Sequence, residues 1–208
     1  MDDGQLLLRV GDRKVRLVSP PGDPGVPEPD GRIYFWWGLT AAALALAREV
    51  VSRGDLAGRR VVELGCGLGL PGVAAGLGGA RVTFTDAKAD ALVYARRNAA
   101  ANDLPAARTA FEVLNWVRPD TREEFDYVLG AEILYDYYMH RAQLDLFDRL
   151  LAPGGTLVLA DRRRRVVERF FGRLGDTGFR GTATDHDLAL PGEPAHRITV
   201  FAWQRQSE

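Results

Sequence analysis

The side chains able to do chemistry in this 208-residue chain fall in a few short clusters. The first is Glu63-Leu64-Gly65-Cys66-Gly67-Leu68-Gly69, running on into Leu70-Pro71-Gly72. Glycines at 65, 67 and 69 let the main chain turn sharply and let a ligand approach the backbone. Dinucleotide sites share such a loop. There, however, a phosphate lies close by and a carboxylate at position 63 would repel it. Glu63 suits a ligand with a cationic end, such as an amino-acid ammonium. Asp86 closes the run Thr83-Phe84-Thr85-Asp86, 21 positions beyond Gly65. An acid that far on, at the end of a second strand, is placed to accept both hydroxyls of a ribose. The bland alternative for Asp86 is a helix N-cap. A ribose, a cationic amino-acid end and no phosphates together describe S-adenosylmethionine.

Two further clusters extend that ligand. Asn115-Trp116 follows a third apolar segment; an amide there can read an adenine edge and an indole can cover the ring. Ala131-Glu132-Ile133-Leu134-Tyr135-Asp136 follows a fourth. Glu132 and Tyr135 are three apart, so on a short helical turn they point the same way. A carboxylate and a phenol there can hold a substrate amine. Weaker features are the run Arg162 to Arg165, read as a solvated helix face or a partner patch, and His140, His186 and His196, which lack metal-ligand spacing. No metal is expected.

The elements that must position these residues follow from pattern. Leu6 to Val10 and Lys14 to Val18, separated by Gly11-Asp12, read as a hairpin. Ser19 to Gly31 holds five prolines and three glycines and reads as a loop. Gly38 to Arg53 is rich in Ala and Leu and reads as a helix. Strands are expected at Arg60–Leu64, Arg81–Thr85, Phe111–Leu114, Tyr127–Ala131, Thr156–Ala160 and Thr199–Trp203. Helices are expected at Val73–Leu77, Asp90–Asn102, Tyr138–Leu151 and Val166–Leu174. Alternating strands and helices give an α/β, doubly wound parallel sheet covered on both faces. Ligands of such sheets bind at the strands' C-terminal edge, where the clusters above end. We expect an N-terminal unit of residues 1–31 and a main domain of residues 32–208.

Composition bounds the function. The chain is 46% hydrophobic and 26% charged, as packed globular proteins are. Twenty-seven basic against 28 acidic residues leave a net charge of -1, which argues against nucleic-acid binding by bulk charge. The single cysteine, Cys66, forms no internal disulfide. No apolar run is long enough to span a membrane, and Met1-Asp2-Asp3-Gly4 lacks a signal peptide's features. A soluble cytoplasmic protein is the expectation.

The glycine loop with Glu63, Asp86, Asn115-Trp116 and the acid-x-x-Tyr run from Glu132 to Tyr135 resemble the lysine-methyltransferase-like branch of the seven-β-strand S-adenosylmethionine-dependent methyltransferases. So does Tyr34-Phe35-Trp36-Trp37-Gly38 before an Ala/Leu helix. The resemblance covers about residues 30 to 205 and departs at Glu132, where the branch more often has Asp, and at the doubled tryptophan. It implies a Rossmann-like, seven-stranded, mostly parallel sheet with its last strand antiparallel, plus the small hairpin. It implies Trp36, Trp37, Glu63, Gly65, Cys66, Gly67, Asp86, Asn115, Trp116 and Ala131 around the cofactor, with Glu132 and Tyr135 catalytic. It also implies a protein lysine as acceptor; an aromatic channel that favours loss of the amine's proton is expected from Trp36, Trp37, Tyr135, Tyr137 and Tyr138. A small-molecule methyltransferase, a nicotinamide oxidoreductase and a non-catalytic cofactor-binding module are the competing readings. Oligomeric state is not legible.

Overall fold

The computed structural model describes residues 4–20, 38–190 and 192–205. Trp36, Trp37 and nearly all of the Ser19–Gly31 loop lie outside the described residues.

Gly4–Val10 (β1) and Arg13–Ser19 (β2) form the expected antiparallel hairpin, with Gly11 at φ 62° in its turn. The main body runs α1 (Ala41–Arg53), β3 (Arg60–Leu64), α2 (Leu70–Leu77), β4 (Arg81–Asp86), α3 (Ala89–Ala101), β5 (Thr109–Val113), β6 (Phe125–Ala131), α4 (His140–Leu150), β7 (Leu151–Arg162), α5 (Arg165–Asp176), β8 (Phe179–Leu188) and β9 (His196–Arg205). The seven main strands lie in the order β5-β4-β3-β6-β7-β9-β8. All are parallel except β9, which runs antiparallel to β7 and β8.

Period-two alternation explains how one sheet feeds two cores. Val61 of β3, Leu129 of β6 and Val158 of β7 pack with α1, α2 and α3. Their neighbours Val62, Val128 and Leu157 pack with α4 and α5 on the opposite face. Strands buried on both faces need near-continuous apolar runs, and β3 and β6 supply them apart from Glu63 in the interior of β3 and Arg60 and Asp126 near the strand starts. The helices start and stop where local chemistry dictates. The Thr40 hydroxyl accepts the Ala43 N–H at 3.1 Å to open α1, and Gly54, at φ 72°, closes it.

Two asparagines dock the hairpin. Asn98 on α3 and Asn102 at its C-terminal cap sit one turn apart, and a helical turn advances about as far as two strand residues. Asn102 accepts the Arg16 N–H at 2.9 Å and donates to the Arg16 carbonyl at 2.7 Å. Asn98 treats Val18 the same way, at 2.6 and 3.0 Å. Two side-chain amides thus stand in for a strand along the free edge of β2. Strand β8 was not expected from the sequence. It is an edge strand whose residues Arg180–Asp185 are exposed, so no core demands an apolar pattern there. No helix among the described residues is long and apolar enough to cross a membrane.

Candidate active site

The C-terminal ends of β3, β4, β5 and β6 bring the chemistry-bearing clusters to one edge of the sheet. Left-handed φ at Gly65 (59°), Gly67 (51°) and Gly69 (76°) turns the chain off β3 and directly into α2. At Gly65 a Cβ would lie 3.1 Å from Ile133 Cγ2 and 3.4 Å from the Trp116 ring, so the loops after β3, β5 and β6 converge on this glycine. Asn98 completes the loop's support by donating to the Leu68 carbonyl at 2.9 Å, and so ties the glycine loop to the hairpin.

Asp86 ends β4 and is buried. One carboxylate oxygen accepts the Gly67 N–H at 3.0 Å and the other accepts the Lys88 N–H at 2.9 Å. The Ala87 N–H also acts on this carboxylate; with about four lone-pair positions, it keeps capacity for a further donor. Burial pushes its pKa up, against the pull of these N–H groups. The Lys88 bond is the N-cap-like contact expected as the alternative; the Gly67 bond adds a second role, fixing the glycine loop over β4.

Glu63 is placed more deeply than its position in the sequence suggests. Its side chain is on the same sheet face as Val61, is only 2% exposed, and accepts the Gly72 N–H at 2.8 Å. Gly72 is required there, because a Cβ would come within 2.5 Å of Glu63 Oε2 and 2.4 Å of the Phe84 ring. Burial drives the Glu63 pKa from its ordinary 4.5 up to about 8, the Gly72 N–H opposes the rise, and the neighbouring Asp86 charge adds to it. The buried Cys66 thiol is likewise held well above its usual range, mainly by burial and further by Glu63 and Asp86. A thiol so protonated is not a nucleophile.

Leu114 donates its N–H to the Asp86 carbonyl at 3.0 Å, which places Asn115-Trp116 beside the β4 end. Asn115 is exposed, and its side-chain oxygen accepts the Val117 and Arg118 N–H groups at 2.9 and 3.3 Å. Half-buried Trp116 leaves its indole N–H buried without a partner among the described residues. An unpaired buried donor against a glycine loop is what an acceptor-bearing ring would satisfy.

The helical turn expected over Glu132 to Tyr135 is not formed. A short turn begins only at Tyr137–Met139, and Glu132 itself takes a left-handed φ of 52°. A non-glycine residue there is strained, and its surroundings hold it. Glu132 N–H donates to the Ala160 carbonyl at 2.8 Å. The next two residues are gripped by three fully buried polar side chains that the sequence reading missed. Gln143 donates to the Ile133 carbonyl at 2.6 Å, His140 Nε2 bonds the Leu134 carbonyl at 3.0 Å, and Asp161 accepts the Leu134 N–H. Burial raises the Asp161 pKa to about 6 although Arg164 pairs with it. The Glu132 carboxylate meets Arg162 at 3.0 Å. Arg163 meets Asp185 at 3.6 Å. Arg162 to Arg164 are therefore consumed by acids at the sheet edge. Tyr135 is 66% exposed. Ala131 ends β6, half-buried, beside Ala160. Among the described residues no group of His, Cys, Asp and Glu is arranged to hold a metal.

Residues 36–176, more than half of the chain, match the model of the family described as lysine methyltransferase. The chain belongs to that family. The mouse EEF1A lysine methyltransferase 3 is 37% identical over 141 residues, covering 64% of this chain and 59% of that protein. Mouse protein N-lysine methyltransferase METTL21A is 35% identical over 159 residues, covering 74% and 70%. The chain thus spans about three fifths of the first relative's length. The crystal structure of a ribosomal protein L11 methylase from Lactobacillus delbrueckii subsp. bulgaricus superposes at TM-score 0.67 with 19% identity, covering 97% of this chain and 99% of that one.

Proposed function

We propose that this chain transfers a methyl group from S-adenosylmethionine to a lysine amine of a protein. The observation that carries the reading is Asp86, a buried carboxylate at the second strand's end that fixes the glycine loop and retains acceptor capacity. The residues fit the cofactor. Asp86 would accept the ribose hydroxyls, Gly65 and Gly67 would let the backbone approach, and the unpaired Trp116 indole N–H, with Asn115, would face the adenine. Ala131 and Cys66 supply small flanking walls. Trp36 and Trp37, which the family resemblance also implies near the cofactor, lie outside the described residues. Glu63 shapes the loop through Gly72, and the positive charge of the ligand's ammonium would favour its ionised form, with the proton released to solvent.

The bound cofactor supplies an activated methyl on a sulfonium, so the protein's task is alignment. Glu132, held in place by Gln143, His140 and Asp161 through the segment that follows it, would accept hydrogen bonds from the entering ammonium. Arg162 would yield that position. A lysine ammonium, of ordinary pKa about 10.4, must lose a proton before it attacks. Tyr135, Tyr137 and Tyr138, expected to wall an apolar channel, are instead exposed and would offer the approaching segment aromatic contact rather than desolvation. Residues 1–31 would act as an accessory unit on the domain of residues 32–208, in the cytoplasm.

Incubation with cell lysate and methyl-labelled S-adenosylmethionine tests the reading. Label found on protein lysine, identified by mass, is the expected result. Label confined to small molecules would replace the acceptor class, and no transfer with intact cofactor binding would make this a binding module.

A further inference from the structure

The arginine run after β7 divides into two groups. Arg162, Arg163 and Arg164 pair with Glu132, Asp185 and Asp161. Arg165, Arg169 and Arg173 do not join them. They lie at i, i+4 and i+8 on α5, all exposed, opposite its buried face of Val167, Phe170, Phe171 and Leu174. Neither Arg165 nor Arg169 has a carboxylate partner among the described residues. At the far end the Arg173 guanidinium sits 4.8 Å from the Tyr137 ring centre and donates to its hydroxyl at 2.6 Å. Tyr138, 91% exposed, meets Tyr137 edge-on. The acids of α5 do not cancel the ridge. Glu168 and Asp176 border its two ends, three residues from Arg165 and from Arg173, and Arg169 alone has no acid at neighbour spacing on the helix.

Gly172 is a second, independent oddity. It is an exposed mid-helix glycine between Arg169 and Arg173, and a Cβ there would meet nothing within 4 Å. Glycine weakens an exposed helix, and no packing among the described residues calls for it. The gap leaves bare backbone for a partner's close approach.

We propose that the outer face of α5 and Tyr137-Tyr138 dock an acidic segment of the methylated polypeptide, in extended form with acids at alternate positions. The proposal rests on the lysine-methyltransferase reading. Arginines four apart on a helix are separated by about 6 Å, close to the spacing of alternate residues in an extended peptide. Arginine beside exposed tyrosine is the composition of protein-binding hot spots. Three cations in a chain of net charge -1 are fewer than a nucleic-acid backbone site uses.

The test uses fluorescence anisotropy of the full chain, saturated with S-adenosylhomocysteine. One fluorescein-labelled peptide carries a lysine followed by glutamates at alternate positions; its counterpart has arginine for each glutamate. Three exposed ion pairs predict roughly tenfold tighter binding of the acidic peptide. That preference should vanish in Arg165→Glu/Arg169→Glu. Gly172→Trp, a substitution at an open helix position, should weaken the acidic peptide without loss of folding. Equal binding of the two peptides, or a preference unchanged in these variants, overturns the proposal. So does tighter, variant-sensitive binding of an oligo(U) RNA. Calorimetry of S-adenosylhomocysteine on the same samples separates the two readings. Normal cofactor binding with no peptide preference defeats the docking surface alone; absent cofactor binding defeats the enzyme reading beneath it.

Discussion

Replacing Glu63 by glutamine keeps an acceptor for the Gly72 N–H at 2.8 Å and removes the ability to ionise. The consequence follows from burial. The folded protein holds the Glu63 proton up to about pH 8, whereas an unfolded chain gives it up near 4.5. Between those values the folded state binds more protons than the unfolded one, so stability falls as pH rises through the window. Each tenfold change in proton affinity is worth about 1.4 kcal/mol, which bounds the cost of Glu63 at about 5 kcal/mol above pH 8. Urea denaturation of both proteins at about pH 4.5 and about pH 8.5 measures it. Glu63→Gln should match the wild type in acid and exceed it in base by more than about 1 kcal/mol. The same variant should bind S-adenosylmethionine more weakly in base, because the charge offered to the ammonium is gone. A stability difference that does not change with pH would refute the reasoning.

Other expectations are simpler to read. Asp86→Ala should abolish calorimetric binding of S-adenosylmethionine, since it removes both the ribose acceptor and the Gly67 tether; near-normal affinity would reject the site. Asn98→Ala strips bonds from Val18 and Leu68, at about 1–3 kcal/mol for each buried group left unpaired, and should lower cofactor affinity as well as the melting temperature. Gln143→Ala unpairs the Ile133 carbonyl at a cost of about 1–3 kcal/mol. It should lower methyl transfer while leaving S-adenosylhomocysteine affinity unchanged, because it acts through Glu132.

Much of this molecule can be read without coordinates because parallel strands buried on both faces must be continuously apolar. Val61 to Leu64 and Tyr127 to Ala131 declare themselves in that way, and the acids that interrupt or follow them mark the sheet's ligand edge. Strand β8 was illegible because an exposed edge imposes no pattern, and pairing with β9 alone makes it a strand. The supports of the site were missed for a different reason. His140 and Gln143 lie in register with Leu146, Phe147 and Leu150 on the buried face of α4, Asn98 lies on that of α3, and Asn102 follows one turn later at the α3 cap. Polar residues on a core-facing stripe were the available signal, since a buried polar group needs a partner. Glu63 carries the same lesson: its alternation with Val61 assigns it to the interior face, where burial controls its charge.

The most direct measurement is a crystal structure with S-adenosylhomocysteine. The ribose hydroxyls should lie within hydrogen-bond distance of Asp86, with the adenine against Trp116 and the amino-acid end over the Gly65–Gly67 turn. A ligand bound elsewhere, with Asp86 still engaged only by Gly67, Ala87 and Lys88, would contradict the account.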